Sequence, residues 1–183
     1  MLGDSDSQAR RMATNLLLEF DAKDLPAAAL VEVLGENPRA SARLATAGEE
    51  ALPLLDRCLQ GPDRLAAVRS ASTLLAVDRR RFRERAISVA IENLESDNFE
   101  DNAREATGLL VLVGGAAVPA LRITLESDDE QAAVCAAIAM NKLGVLDPVP
   151  PRLVDQALRL VRRDWWVDET RCIFDLFAAR EPV

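Results

Sequence analysis

The chain has 183 residues, of which 49% are hydrophobic but only 4% aromatic, and it contains neither Tyr nor His. This length suits one domain or a short repeat array with a continuous core, and we expect one domain over residues 1–183. An interior built mainly from Ala, Leu, Val and Ile favours closely packed helices. The net charge of -8 disfavours binding to phosphate backbones, which depends on cationic side chains.

The first part of the chain, residues 1–46, is predicted to form an irregular capping unit. Its predicted helices span residues 8–20, 26–34 and 39–46. Met1–Ser7 is polar and is expected to fray, whereas Met12, Leu16 and Phe20 fall on one stripe of the first helix. Pro26 suits the first position of the second helix.

An internal repeat dominates the centre, because Ala47–Val77 recurs without a gap as Val113–Leu143. The identical pairs include Gly48/Gly114, Pro53/Pro119, Leu55/Leu121, Leu59/Leu125, Asp63/Asp129 and Val68/Val134. Each copy is predicted to form helix A, a turn and helix B, with its Asp at the start of helix B. Neither helix can bury its apolar stripe alone, so each pair must stack on its neighbours.

The full array is predicted to consist of helix pairs. The regular repeats span residues 47–77, 83–113 and 114–144, and a C-terminal unit spans 152–180. Pro148, Pro150 and Pro151 separate this last unit from the third repeat. The expected fold is all-α, with about five stacked antiparallel helix pairs and irregular first and last units.

The repeat resembles the HEAT-repeat family and is most similar to the short bacterial repeats of the bilin-lyase type. The resemblance depends on the pattern Gly-x-x-Ala-[Leu/Val]-Pro-x-Leu at the start of helix A and Asp...Val-Arg at the start of helix B. The matching residues are Gly48, Ala51, Pro53, Leu55, Asp63, Val68, Arg69 and Ala71, and in the other copy Gly114, Ala117, Pro119, Leu121, Asp129, Val134 and Ala137. The resemblance implies a right-handed α-solenoid whose B helices line a concave face that holds another protein.

The resemblance also implies a ladder of Asp and Arg side chains between successive repeats. It would assign this structural role to Asp63, Arg69, Arg104 and Asp129. Cys135 stands where the pattern has a further Arg, so the ladder is expected to be incomplete.

Acidic residues recur in the predicted turns between helices A and B, from Asp63 to Glu169. On one edge of a stacked array they would form a docking surface for a basic partner. Acids at helix N-termini also complement the helix macrodipole, and we favour this structural explanation.

Two arginine clusters raise the alternative of nucleic-acid binding. Arg79–Arg85 holds five arginines, and Arg152–Arg163 holds four beside Trp165 and Trp166. Basic residues next to aromatic ones can hold phosphates and stack bases, and some HEAT-like proteins are DNA-alkylation-repair glycosylases. The acidic composition and the ability of Arg to cover apolar surface weigh against this alternative.

The sequence offers little for catalysis. Cys58, Cys135 and Cys172 have no CxxC spacing, no carboxylate pair suits acid–base catalysis, and His is missing. We expect no metal, no cofactor and a reducing cytoplasmic location. No stretch reaches about 18 uninterrupted apolar residues, so we expect no membrane span.

The sequence therefore predicts a non-catalytic protein-binding module with a concave B-helix face or an acidic edge as its docking surface. A regulatory or immunity-type role is a special case of this hypothesis. The predicted contact residues are Asn102, Glu105, Trp165, Trp166 and Arg171. The apolar C-terminal helix could instead join two copies in a homodimer. Alternative functions are nucleic-acid binding and a bilin-lyase-like enzyme.

Overall fold

The computed structural model describes residues 2–20, 24–95, 102–146 and 149–161. In these ranges the chain is helical and has no strand, which confirms the predicted all-α class. The helices are α1 (Leu2–Glu19), α2 (Ala27–Glu32), α3 (Pro38–Ala47), α4 (Leu52–Cys58), α5 (Arg64–Val77), α6 (Arg79–Glu92), α7 (Arg104–Val113), α8 (Val118–Leu125), α9 (Glu130–Lys142) and α10 (Pro151–Val161). Short 3₁₀ turns over Gly48–Glu50 and Gly114–Ala117 precede α4 and α8.

The chain divides into two compact units, Met1–Ala86 and Ile87–Val183. In the first unit, α2 packs against α3, and α4 packs against α5, as the helix pairs of the sequence predict. The two pairs also meet each other, because α2 contacts α4 and α3 contacts α5. Their shared core contains Leu30, Val33, Leu34, Ala40, Leu44, Leu55 and Leu74.

The first helix is longer than predicted, and its predicted apolar stripe is exposed. It begins at Leu2 rather than at Gln8, and no proline interrupts this stretch. It packs against α2 through Thr14 and Leu18, which are 5% and 3% exposed. The predicted apolar stripe therefore lies on the outward side of α1.

The second unit is arranged around α9, which packs against α7, α8 and α10. Every residue from Ala132 to Met140 is buried, so no side of this part of α9 is left uncovered. The small alanine side chains allow neighbouring helices to lie close on several sides of it. The described part of the predicted C-terminal unit ends with α10, and its second predicted helix, 168–180, lies outside the described residues.

The two copies of the internal repeat use the same local chemistry. Asp63 and Asp129 are the N-caps of α5 and α9, where each carboxylate accepts a hydrogen bond from the backbone N–H three residues later. The bond from Ala66 N is 2.9 Å long and the bond from Ala132 N is 2.8 Å long. The predicted N-terminal positions of both aspartates are thus confirmed.

Glycine and proline also have the same roles in both copies. Gly48 and Gly114 follow α3 and α7 with φ angles of 63° and 80°, a conformation that side chains with a Cβ rarely adopt. Pro53 and Pro119 lie in the first turns of α4 and α8, where a missing backbone N–H costs nothing. The two copies of the repeat therefore share the residues that end one helix and begin the next.

Side chains of later helices donate hydrogen bonds to carbonyls in the turns that follow earlier helices. Arg69 of α5 donates from Nη1 to the Leu34 and Gly35 carbonyl oxygens, each at 3.1 Å. In the second unit, Gln131 Nε2 donates to the Leu94 carbonyl oxygen, also at 3.1 Å. Backbone carbonyls in such turns need hydrogen-bond donors, and these bonds supply them while joining consecutive helix pairs.

One segment of the described residues, Arg104–Leu125, is long and apolar enough to cross a membrane by length and composition. Gly114 divides this segment into α7 and α8, which both pack against α9, and 39% of its most apolar window is buried. Since buried core helices pass the same test, the segment is weak evidence for a membrane span.

Replacement of the α9 cap should destabilise the protein, whereas a change at its neighbour should not. We expect Asp129→Ala to lower the free energy of unfolding by about 1 kcal/mol, because the Ala132 N–H loses its acceptor. Asp128→Ala is the matched control, since Asp128 is exposed and is not the cap. Urea denaturation measures both. Equal losses for the two variants would contradict the assigned cap.

Removal of the Arg69 guanidinium should loosen the join between the first two helix pairs. We expect Arg69→Met to lower the free energy of unfolding by about 2 kcal/mol, because two carbonyls lose a charged donor. Amide hydrogen exchange should then quicken in α2 and α5. Arg64→Met, at an exposed position of the same helix, is the control. Similar exchange rates in both variants would contradict this role.

Candidate functional site

The outward face of α7 carries an exposed stripe formed by Arg104, Gly108 and Leu112. These residues are spaced by four positions, so they lie on one side of the helix. The inward side holds Ala106, Thr107, Leu109, Leu110 and Val113, which are all buried. Leu112 is 48% exposed, so an apolar side chain lies on this outward side. The stripe is thus a distinct surface of α7.

Gly108 is the most unusual residue of this stripe. A glycine inside a helix costs about 0.5–1 kcal/mol relative to alanine, so its presence needs a reason. A Cβ at this position would meet nothing within 4 Å, and the backbone has no positive φ, unlike that of Gly48. Neither packing against the described residues nor backbone conformation therefore requires glycine here. It leaves a flat area between Arg104 and Leu112 that another backbone can approach closely.

The predicted contact residues are divided by the structure. Glu105 lies in the first turn of α7 and is half-buried, next to the exposed stripe. Asn102 is only 8% exposed, so its side chain presents little surface to a partner. Trp165, Trp166 and Arg171 lie outside the described residues. Sequence reasoning missed Gly108 and Leu112, although their spacing from Arg104 and the glycine within a helix were visible signals.

The residues of the predicted ladder have different environments. Asp63 and Asp129 cap helices, and Arg69 is half-buried against carbonyl oxygens. Asp63 also lies against Gly35, where a Cβ would overlap with its carboxylate. Arg104, by contrast, is exposed on the stripe of α7.

Several acids of the predicted edge have partners inside the second unit. Arg159 Nη2 of α10 lies 2.6 Å from Glu130 Oε1, and this hydrogen bond raises the pKa of Arg159. Arg152 Nη2 lies 2.5 Å from Glu126 Oε2 and also donates to the Leu125 carbonyl oxygen at 2.8 Å. These contacts join α10 to the preceding pair. They favour the structural explanation of these acids over a docking edge.

The basic cluster Arg79–Arg85 forms the first half of α6 and also has acidic neighbours. Arg85 forms an ion pair with Asp56 of α4, and Arg83 Nε lies 3.2 Å from Glu84 Oε1. Part of the positive charge that suggested nucleic-acid binding is therefore balanced within the first unit. The other four arginines that suggested it, in 152–163, are described only as far as residue 161.

The described cysteines are poor nucleophiles. Cys135 is 1% exposed, and burial raises the pKa of the half-buried Cys58 thiol, which disfavours its reactive thiolate. Cys172 lies outside the described residues. Within the described residues, no group of three or more His, Cys, Asp or Glu side chains could hold a metal ion.

Comparison of the chain with protein-family models, curated proteins and solved structures gives no match. The resemblance to HEAT repeats therefore depends on the residues of the internal repeat themselves.

Slow alkylation of Cys58 should reveal its raised pKa. We expect iodoacetamide at pH 8 to modify Cys58 more slowly than a cysteine in the urea-unfolded chain, because burial keeps the thiol protonated. Raising the pH toward 9 should increase the rate. Peptide mass spectrometry follows Cys58 and the buried Cys135 separately. Modification of Cys58 as fast as in the unfolded chain would contradict the expected shift.

Proposed function

We propose that the chain is a non-catalytic protein-binding module of the HEAT-like type. In this proposal the helix pairs stack as a right-handed solenoid, and the second helices of the pairs face a concave binding surface. The exposed stripe of α7 belongs to that surface. The observation that carries the proposal is Gly108, a destabilising residue for which the described part of the chain offers no reason.

The chemistry of the stripe describes the partner that it fits. Arg104 and Leu112 are eight positions apart, which corresponds to about 12 Å along a helix. A partner segment with a carboxylate opposite Arg104 and an apolar side chain opposite Leu112 would lie across Gly108 between them. The absence of a side chain at Gly108 lets the partner backbone contact the helix directly. We therefore propose a protein segment, and not a small molecule, as the ligand.

The contacts of the charged side chains favour the α7 stripe over the acidic edge as the docking surface. Glu126 and Glu130 are engaged by arginines of α10, and Asp129 is engaged by the backbone of α9. Arg104 lies on an exposed face without such a structural use in the hydrogen bonds and ion pairs described above. A binding surface requires side chains that the scaffold does not consume.

Substitution of Gly108 should separate binding from folding. We expect Gly108→Ala to raise the free energy of unfolding by about 0.5–1 kcal/mol, because alanine suits a helix interior better. Gly108→Arg should keep the fold, since its side chain enters open space, but should reduce recovery of the partner in a pull-down analysed by mass spectrometry. Arg104→Glu should also keep the fold and reduce recovery of the partner, because it reverses the charge of the stripe.

Ile123→Ser is the matched surface control, because Ile123 lies on α8 and is 78% exposed. Its pull-down should recover the same proteins as the wild type. The proposal is wrong if Gly108→Arg and Arg104→Glu also recover those proteins in full, or if the wild-type chain recovers no specific protein.

The two alternative functions predict other results. Nucleic-acid binding predicts a DNA mobility shift at low salt that weakens when Arg80, Arg81 and Arg83, all exposed, are neutralised. A bilin-lyase-like enzyme predicts a change in the visible absorption of an added tetrapyrrole. This last alternative depends on resemblance alone.

A further inference from the structure

The outward face of α1 is an uncovered apolar surface. Met12, Leu16, Leu17 and Phe20 are 61%, 54%, 44% and 82% exposed. Met12 and Leu16 lie on the side of α1 opposite Leu18, and Leu17 lies at the edge of that side. Phe20 directly follows α1 and continues this side, because its N–H donates to the Leu16 carbonyl oxygen. The inward side is held to the first unit by Leu18 and by polar contacts such as the 3.2 Å hydrogen bond from Asn15 to Glu36. Clustered apolar side chains on a surface mark an interaction site.

We propose that this face joins two copies of the chain through an antiparallel pair of α1 helices. Its centre is formed by Ala9, Ala13, Leu16 and Phe20, all exposed, at successive spacings of four, three and four residues. This is the spacing of the apolar seam in a two-helix coiled coil. The seam therefore has the geometry of a helix–helix contact.

The sizes of these four side chains identify the occupant as a second copy. Both small residues lie in the N-terminal half of the seam, and both large ones lie in the C-terminal half. An antiparallel pair centred midway between Ala13 and Leu16 places each Phe20 opposite the Ala9 of the partner, and each Leu16 opposite its Ala13. A two-fold interface pairs a surface with itself in this way. A parallel pair would place large against large and small against small, leaving clashes and voids.

The charges beside the seam are compatible with this arrangement. Arg10 and Glu19 lie near opposite ends of the seam and on opposite sides of it. The two-fold axis therefore places neither residue next to its own copy. Arg10 also lies 3.6 Å from Glu32 in its own chain, which offsets its charge. No like-charge contact between these residues opposes the dimer.

One face of an 18-residue helix supplies fewer than the roughly 20–30 residues that each partner contributes to a standard interface. We therefore expect a reversible dimer that dissociates in the range of about 10–100 μM, on the order of weak complexes. The proposal does not depend on the function of the α7 stripe, so either can fail alone.

Sedimentation velocity over a concentration series tests the dimer with the full chain. The wild type should shift from monomer to dimer, whereas Leu16→Glu and Ala13→Lys should each stay monomeric, because each places a charge in the seam. An equal mixture of these two variants should regain the dimer. The antiparallel arrangement places the introduced glutamate opposite the introduced lysine of the other chain, which a parallel arrangement does not.

Ile123→Glu is the control for a charge at an exposed apolar position elsewhere, and it should dimerise like the wild type. Circular dichroism should give all variants the wild-type helix content, since each site is exposed. A wild-type chain that stays monomeric at every concentration overturns the proposal and leaves the face to another partner. Leu16→Glu that still dimerises, or a mixture that stays monomeric, also overturns it.

Discussion

The need to satisfy carbonyl groups in the turns that follow helices governs how consecutive helix pairs are joined. A helix as short as α2, with six residues, is marginal by itself and depends on tertiary contacts. The carbonyl oxygens of Leu34 and Gly35, in the turn after α2, accept hydrogen bonds from the Arg69 guanidinium. The close contact of Gly35 with Asp63 belongs to the same join, because α5 supplies both polar side chains. Close packing and hydrogen bonds thus both hold the start of α5 against the turn that follows α2.

The sequence predicts this scaffold well where its chemistry is local. The N-caps Asp63 and Asp129 and the breaks at Gly48 and Gly114 are recognisable because each acts within a few residues of its own position. The bond from Gln131 to Leu94 is different. Gln131 lies one turn before Cys135, the position aligned with Arg69, and only the folded chain shows that it reaches an equivalent carbonyl. A hydrogen bond that a residue at another repeat position provides can be recognised only from the folded structure.

Periodicity predicts which residues share a side of a helix but not what lies against that side. The stripe of α1 is present as predicted, yet it points outward because Leu18 and Thr14 pack inward instead. The inward side is less apolar, but ion pairs and hydrogen bonds with the α2 region compensate, including the pair of Arg11 and Glu36. A helix with apolar residues on two sides carries no sequence signal for which side meets the core. The exposed face consequently became visible only in the structure.

The position of Arg69 shows why a repeat does not by itself locate a binding surface. In the first unit this arginine is committed to two carbonyls. The aligned Cys135 is buried in α9, which neighbouring helices cover. The corresponding Arg104 lies on the outward side of α7, on the same face as Gly108, whose Cβ position is open among the described residues. The same repeat position therefore joins helix pairs at Arg69, belongs to the core at Cys135 and is exposed at Arg104. The helices packed around each residue determine its role. Binding residues are therefore expected where neighbouring helices neither bury the side chain nor engage it in hydrogen bonds.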